Sequence, residues 1–137
     1  MKKILKTLAV ATLVFVCLPA CKKTDAAWQQ LTTIQKIQAK WQVQTYYEND
    51  HYFGVDHIKN SNGTVNDYLD FRTDGKVYTS MFGYKDTVTY SLLDDVHLLI
   101  GGANKYEIKT LSANSLVMYG KDINGADFLE ENIVLAK

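Results

Sequence analysis

From residue 41 onward the chain alternates apolar and polar positions in short runs rich in Val, Tyr, Thr and Leu. A period of two is the signature of half-buried strands. It predicts strands over residues 41–52, 68–72, 77–82, 87–93, 96–100, 105–111, 116–121 and 128–135. Turn chemistry separates them. Asn60-Ser61-Asn62-Gly63 marks a loop, Thr73-Asp74-Gly75-Lys76 a tight hairpin and residues 83–85 a turn. Asp94-Asp95, Gly101-Gly102 and Ser112-Ala113-Asn114 end the next three runs, and Asn124-Gly125 is the strongest hairpin signal. Eight strands with short links make antiparallel neighbours. Their simplest closure is an up-and-down barrel, which removes exposed edges; a two-sheet sandwich is the rival. Upstream, Trp28, Leu31, Ile34 and Ile37 recur every third residue. They predict one short amphipathic helix, about residues 26–38, packed on or plugging an end of the sheet.

The first twenty residues follow another pattern. Lys2, Lys3 and Lys6 make a basic start, and residues 8–18 form a short run without charge. That is the layout of a cleaved secretory signal, too short to span a bilayer comfortably. Leu18-Pro19-Ala20-Cys21 resembles the lipobox of bacterial lipoproteins, with Pro19 where a small or hydroxylated residue is usual. In that class the cysteine sulfur receives a diacylglycerol, the signal is cut before it, and the new amine is acylated. The resemblance implies lipid attachment at Cys21 and a membrane partner held through those chains. The plainer reading is a secreted protein with Cys21 left as a thiol. Lys22 stands where inner-membrane retention would place Asp, which implies outer-membrane anchoring in a Gram-negative cell, periplasmic or surface-facing. Residues 21–27 would be an acylated tether, reaching about 20 Å if extended, and residues 28–137 one domain.

Cleavage changes the charge. The full chain carries 15 basic and 15 acidic side chains, and loss of three lysines with the signal leaves a net −3. Such a surface has no electrostatic footprint for nucleic acid. Cys17 leaves with the signal, so Cys21 has no disulfide partner, and packing must stabilise the domain.

Behind the lipobox, the pieces resemble small lipocalin-like lipoproteins. Ile37-Gln38-Ala39-Lys40-Trp41 is similar to the lipocalin Gly-x-Trp opening of the first strand, with Ala39 in place of Gly. Leu69-x-Phe71-x-x-Asp74-Gly75-x-Val77 is similar to the second hairpin. Thr89-Tyr90-Ser91-Leu92, Tyr106-x-Ile108-x-x-Leu111 and Ser115-Leu116 are similar to the later strands. The resemblance implies an eight-stranded barrel plugged at one end by Trp41. It also implies a small apolar or amphipathic ligand, in a cup narrower than usual because the chain is short.

Signs of catalytic chemistry in the chain are few. No phosphate loop, nucleophile elbow or His-Glu-x-x-His pair is present, so neither catalysis nor a cofactor is expected. His51 and His57 sit near Glu48, Asp50 and Asp56 without the spacing of a compact metal site. Arg72, the one arginine, is expected at a hairpin end. One of Glu130 and Glu131 must face inward, and would need a partner such as Arg72 or a lysine. The aromatic group Tyr46, Tyr47, Tyr52 and Phe53 crowds the end of the first strand, and tyrosine suits a pocket for an amphipathic molecule. Alternation can place Val43, Phe71, Tyr90, Ile108 and Met118 on one inward face. With Tyr47 these are the candidate ligand contacts. The alternative is a filled barrel that binds another protein through residues 46–62.

Overall fold

A computed structural model describes residues 22–137; the signal segment and Cys21 lie outside the described residues. The predicted single helix is two. Helix α1 is Lys22–Gln29 and α2 is Thr33–Ile37. The break has a local cause. Thr32 caps α2 and forms a capping box with Gln35, each side chain serving the other's backbone N–H. Residues 22–27, read as an extended tether, lie within α1, where the rise is only about 1.5 Å per residue. Among the described residues no helix is long and apolar enough to cross a membrane.

The strands are β1 (Lys40–Tyr52), β2 (Val55–Asn62), β3 (Tyr68–Phe71), β4 (Lys76–Met81), β5 (Tyr84–Leu92), β6 (His97–Ile100), β7 (Asn104–Leu111), β8 (Ser115–Asn124) and β9 (Asp127–Ala136). All pair antiparallel with their neighbours, and β9 returns to pair with β1. The result is a closed eight-stranded barrel, compatible with the lipocalin type. There are nine strands because one stave is interrupted. Both β2 and β3 pair with the same edge of β1, β2 along residues 45–52 and β3 along residues 40–42. The sequence pattern marks a loop at Asn60–Gly63 and predicts no strand between residues 52 and 68. In the structure Phe53 and Gly54, both at positive φ (51° and 75°), make a two-residue turn into β2. Alternation was uninformative there because residues 55–60 are all exposed.

Asp67, buried at the interruption, joins the two halves of that stave. Its carboxylate accepts the Thr64 N–H (2.8 Å), the Thr64 hydroxyl (2.6 Å) and the Phe82 N–H (2.6 Å). These bonds hold its pKa below the ordinary carboxylate range, the Thr64 hydroxyl contributing most. Its own carbonyl accepts from the Val43 N–H and the Gln42 amide. Gly63 permits this crossing, because a Cβ there would lie 2.0 Å from the Val43 carbonyl oxygen.

The core lies inside the barrel toward the helix end. Ile37, Trp41, Val43, Leu69, Phe71, Val77, Leu98, Leu116, Met118, Ile133 and Leu135 form one buried cluster with Tyr46, Tyr90, Ile100 and Tyr106. Trp41 closes this end. It has no exposed surface, its indole N–H donates to the Ile37 carbonyl at 2.8 Å, and the Lys137 ammonium lies 4.2 Å from its ring centroid. Helix α2 seals the same end through Ile37 and Ile34, and Gln38 reaches the Tyr90 hydroxyl at 3.3 Å.

Candidate functional site

Strand register decides what faces the interior at the free end of the barrel. A bulge at Val43/Thr45 resets the alternation of β1, so Tyr46 and Glu48 point inward above Val43. Glu48 is directly opposite Glu131 of β9, and Tyr106 of β7 is opposite Gly120 of β8. The inward acid of the Glu130–Glu131 pair is therefore Glu131. Its partners are not Arg72 or a lysine. They are two phenols: Tyr46 Oη donates to Oε1 and Tyr106 Oη to Oε2, each at 2.6 Å. Tyr46 Oη also contacts Glu48 Oε2, and its single proton can serve only one of the two carboxylates at a time. Gly120 makes room for this cluster, since a Cβ there would meet the Tyr106 ring at 2.9 Å.

Burial pushes the pKa of both phenols far above the ordinary value, and the bonds and charges of Glu131 and Glu48 add to it. The consequence for stability has a definite sign. Unfolded tyrosine ionises near pH ~10, whereas the folded pair keeps its protons. Above that pH the unfolded chain binds fewer protons, so stability falls as pH rises. Thermal melts from pH 8 to 11 are expected to show a steeper decline for the native chain than for a Tyr46→Phe/Tyr106→Phe variant. Parallel curves would show that these phenols do not couple to folding.

Next to this cluster a small hollow of about 90 Å³ opens between β7, β8 and β9, lined in part by Tyr106, Gly120, Asp122 and Glu131. Beyond it the tips of two hairpins meet. The Phe53 N–H donates to Asp127 Oδ1 at 3.1 Å, and the His51 ring stacks on Phe128 at 4.8 Å. The β1–β2 arm exposes Tyr52, Phe53, Val55 and Ile58, with Phe53 81% exposed; Ile123 on the neighbouring hairpin is also exposed. Among the described pairings β2 bonds only to β1, so its outer edge is open.

The candidate ligand contacts separate into two groups. Val43, Phe71, Tyr90 and Met118 are buried in the core, and Ile108 packs against it. Tyr90 donates its hydroxyl to the Arg72 carbonyl (2.7 Å) and meets Phe71 edge-on. Tyr47 alone of the six lies on the outer face, opposite Asn60 and Asn132. Arg72 is at the hairpin end, bonded to Asp70 at 2.8 Å and laid over the Tyr78 ring. His51 bonds Asp56, and His97, facing outward, bonds Asp94. Among the described residues no three His, Cys, Asp or Glu side chains are grouped to hold a metal ion. The sequence reading overlooked Asp67 and the pairing of Glu131 with phenols. A polar residue just before an apolar strand was the only trace of the first. The second brings together groups 25 and 85 residues apart, and left no local signal. A scan against protein-family models and a search of curated proteins both return no match for this chain.

Proposed function

We propose that this chain is a lipid-anchored, lipocalin-like protein of the Gram-negative outer membrane, non-catalytic, that binds with the outside of its barrel. The observation that carries this reading is the filled interior. Trp41, Val77, Leu98, Leu116, Met118 and Leu135 have no accessible surface, so none borders a space wide enough for a water molecule. Small-molecule sites usually need about 300–1,000 Å³, and the hollow beside Tyr106 has about 90 Å³. Five of the six candidate ligand contacts are used in packing, four of them within the buried core. The part of the notional cup that an apolar ligand would enter is occupied by the protein itself.

The free end carries the binding surface in this reading. Strand β1 has 13 residues, so at about 3.3 Å per residue the arm tip is roughly 40 Å from the helix end. Lipid at Cys21, one residue before α1, would leave the exposed Tyr52, Phe53, Val55 and Ile58 facing away from the bilayer. Exposed aromatic side chains grouped at one end are an unusual surface for a protein without a partner. A photo-crosslinking residue placed at Phe53 in living cells is expected to give a discrete protein adduct, while the same residue at Tyr84, on the β4–β5 turn, gives none. Saturable, one-to-one uptake of an apolar dye with quenching of Trp41 would overturn the filled-barrel reading.

A further inference from the structure

The outer wall at the base of the arm holds a second feature. Across β2, β1 and β9 the register sets Asn60, Tyr47 and Asn132 in one row and Asn62, Thr45 and Val134 in the next. Tyr46 and Ile133 are buried on the opposite face of the same strands, so these two rows face outward. Between them lies a cleft of about 320 Å³ lined by Thr45, Tyr46, Tyr47, Ser61 and three asparagines, Asn60, Asn62 and Asn132. None of these side chains carries a charge. The carboxamide oxygen of Asn132 is buried and has no hydrogen-bond partner. One row along, Asn49 is 8% exposed and its Oδ1 is also without a partner. Tyr119, the other neighbour of Asn132 on this face, extends the aromatic surface.

We propose that this cleft binds a neutral saccharide. The inference rests on the reading that binding takes place on the outside of the barrel. Carboxamides offer a donor and an acceptor side by side, matching the hydroxyls of a sugar. The Tyr47 ring supplies an apolar surface for the C–H face of a pyranose, with its own hydroxyl at the edge. An uncharged lining gives a phosphate or carboxylate no cation, and the scarcity of aliphatic side chains disfavours a lipid tail. The volume lies at the lower end of the range for small-ligand clefts, suited to a short stretch of a chain rather than a large compound.

The test uses the full lipidated protein in a detergent without a sugar headgroup. Maltotriose, cellotriose and triacetylchitotriose are titrated separately by calorimetry and by saturation-transfer NMR. At least one is expected to bind saturably below about 10 mM, with Tyr47→Ala weakening it about tenfold or more. Asn132→Asp keeps the shape of the cleft and adds charge, and should also weaken binding, while Tyr84→Ala should not. No saturable binding of any of the three, or binding indifferent to Tyr47→Ala and Asn132→Asp, overturns the saccharide site. Those outcomes leave the Phe53 crosslink untouched, so the two readings fail separately.

Discussion

Cys21→Ser is expected to abolish fatty-acid incorporation and to leave residues 1–20 attached to the chain. The lipobox resemblance sets this order: the sulfur is modified first, and cleavage follows. A serine hydroxyl is a far weaker nucleophile than a cysteine thiolate, so the first step fails and the second has no substrate. The variant should run at precursor length, carry no label from an alkyne analogue of palmitate, and be missing from outer-membrane fractions. The physical weight of the modification is large. Each buried methylene contributes about 0.8 kcal/mol, and one acyl chain holds a protein only marginally, whereas several make the attachment durable. Native protein with a free thiol at Cys21 in its intact mass, or native protein recovered in the aqueous phase, would refute the anchor.

Trp41→Ala is expected to cost about 3–5 kcal/mol of folding stability. The indole is fully buried and donates to the Ile37 carbonyl, so truncation opens a cavity and leaves a buried acceptor unpaired. Its neighbours cannot easily collapse into the space, because α2 and the first turn of β1 are held by the same contact. For a domain of this size the melting temperature should drop by about 10 °C or more. Trp41→Phe keeps most of the apolar volume but not the donor, and its cost should fall between the two. A melting curve unchanged by Trp41→Ala would refute the plug.

The filled interior changes how the lipocalin resemblance is understood. A barrel of eight staves is just wide enough to be filled by its own side chains or to hold one small ligand, and fold alone does not choose between them. Here Phe71, Met118, Leu116 and Leu135 occupy the centre. The polar groups are displaced to the rim, where Glu131 is held by Tyr46 and Tyr106. In the proposed reading, binding falls to the arm and the outer wall. Tyr47 marks the shift: it entered as one of six contacts for an internal ligand, and it stands on the outside among asparagines.

Much of the architecture was legible from short-range pattern. Asp74-Gly75 and Asn124-Gly125 announce hairpins because their backbones readily take the left-handed turn conformation, and both glycines have positive φ. Trp41 and the inward series Val43, Phe71, Tyr90 and Met118 follow from alternation. Other features were written locally and overlooked. Thr32 and Gln35 spell the capping box that splits the helix, and Phe53-Gly54 is a two-residue turn. The rest depends on closure. Neither face of most of β2 is buried, so no periodicity records it, and it forms because β1 is long enough to template it. The partners of Glu131 lie on different strands, and only the return of β9 to β1 brings Glu131 within reach of Tyr46. Turns and alternation depend on residues two to four positions apart, and the chain carries that information in its order. A filled interior, a carboxylate held by two phenols and an amide-lined outer cleft depend on register around a closed ring, where a shift of one residue would turn every side chain to the other face.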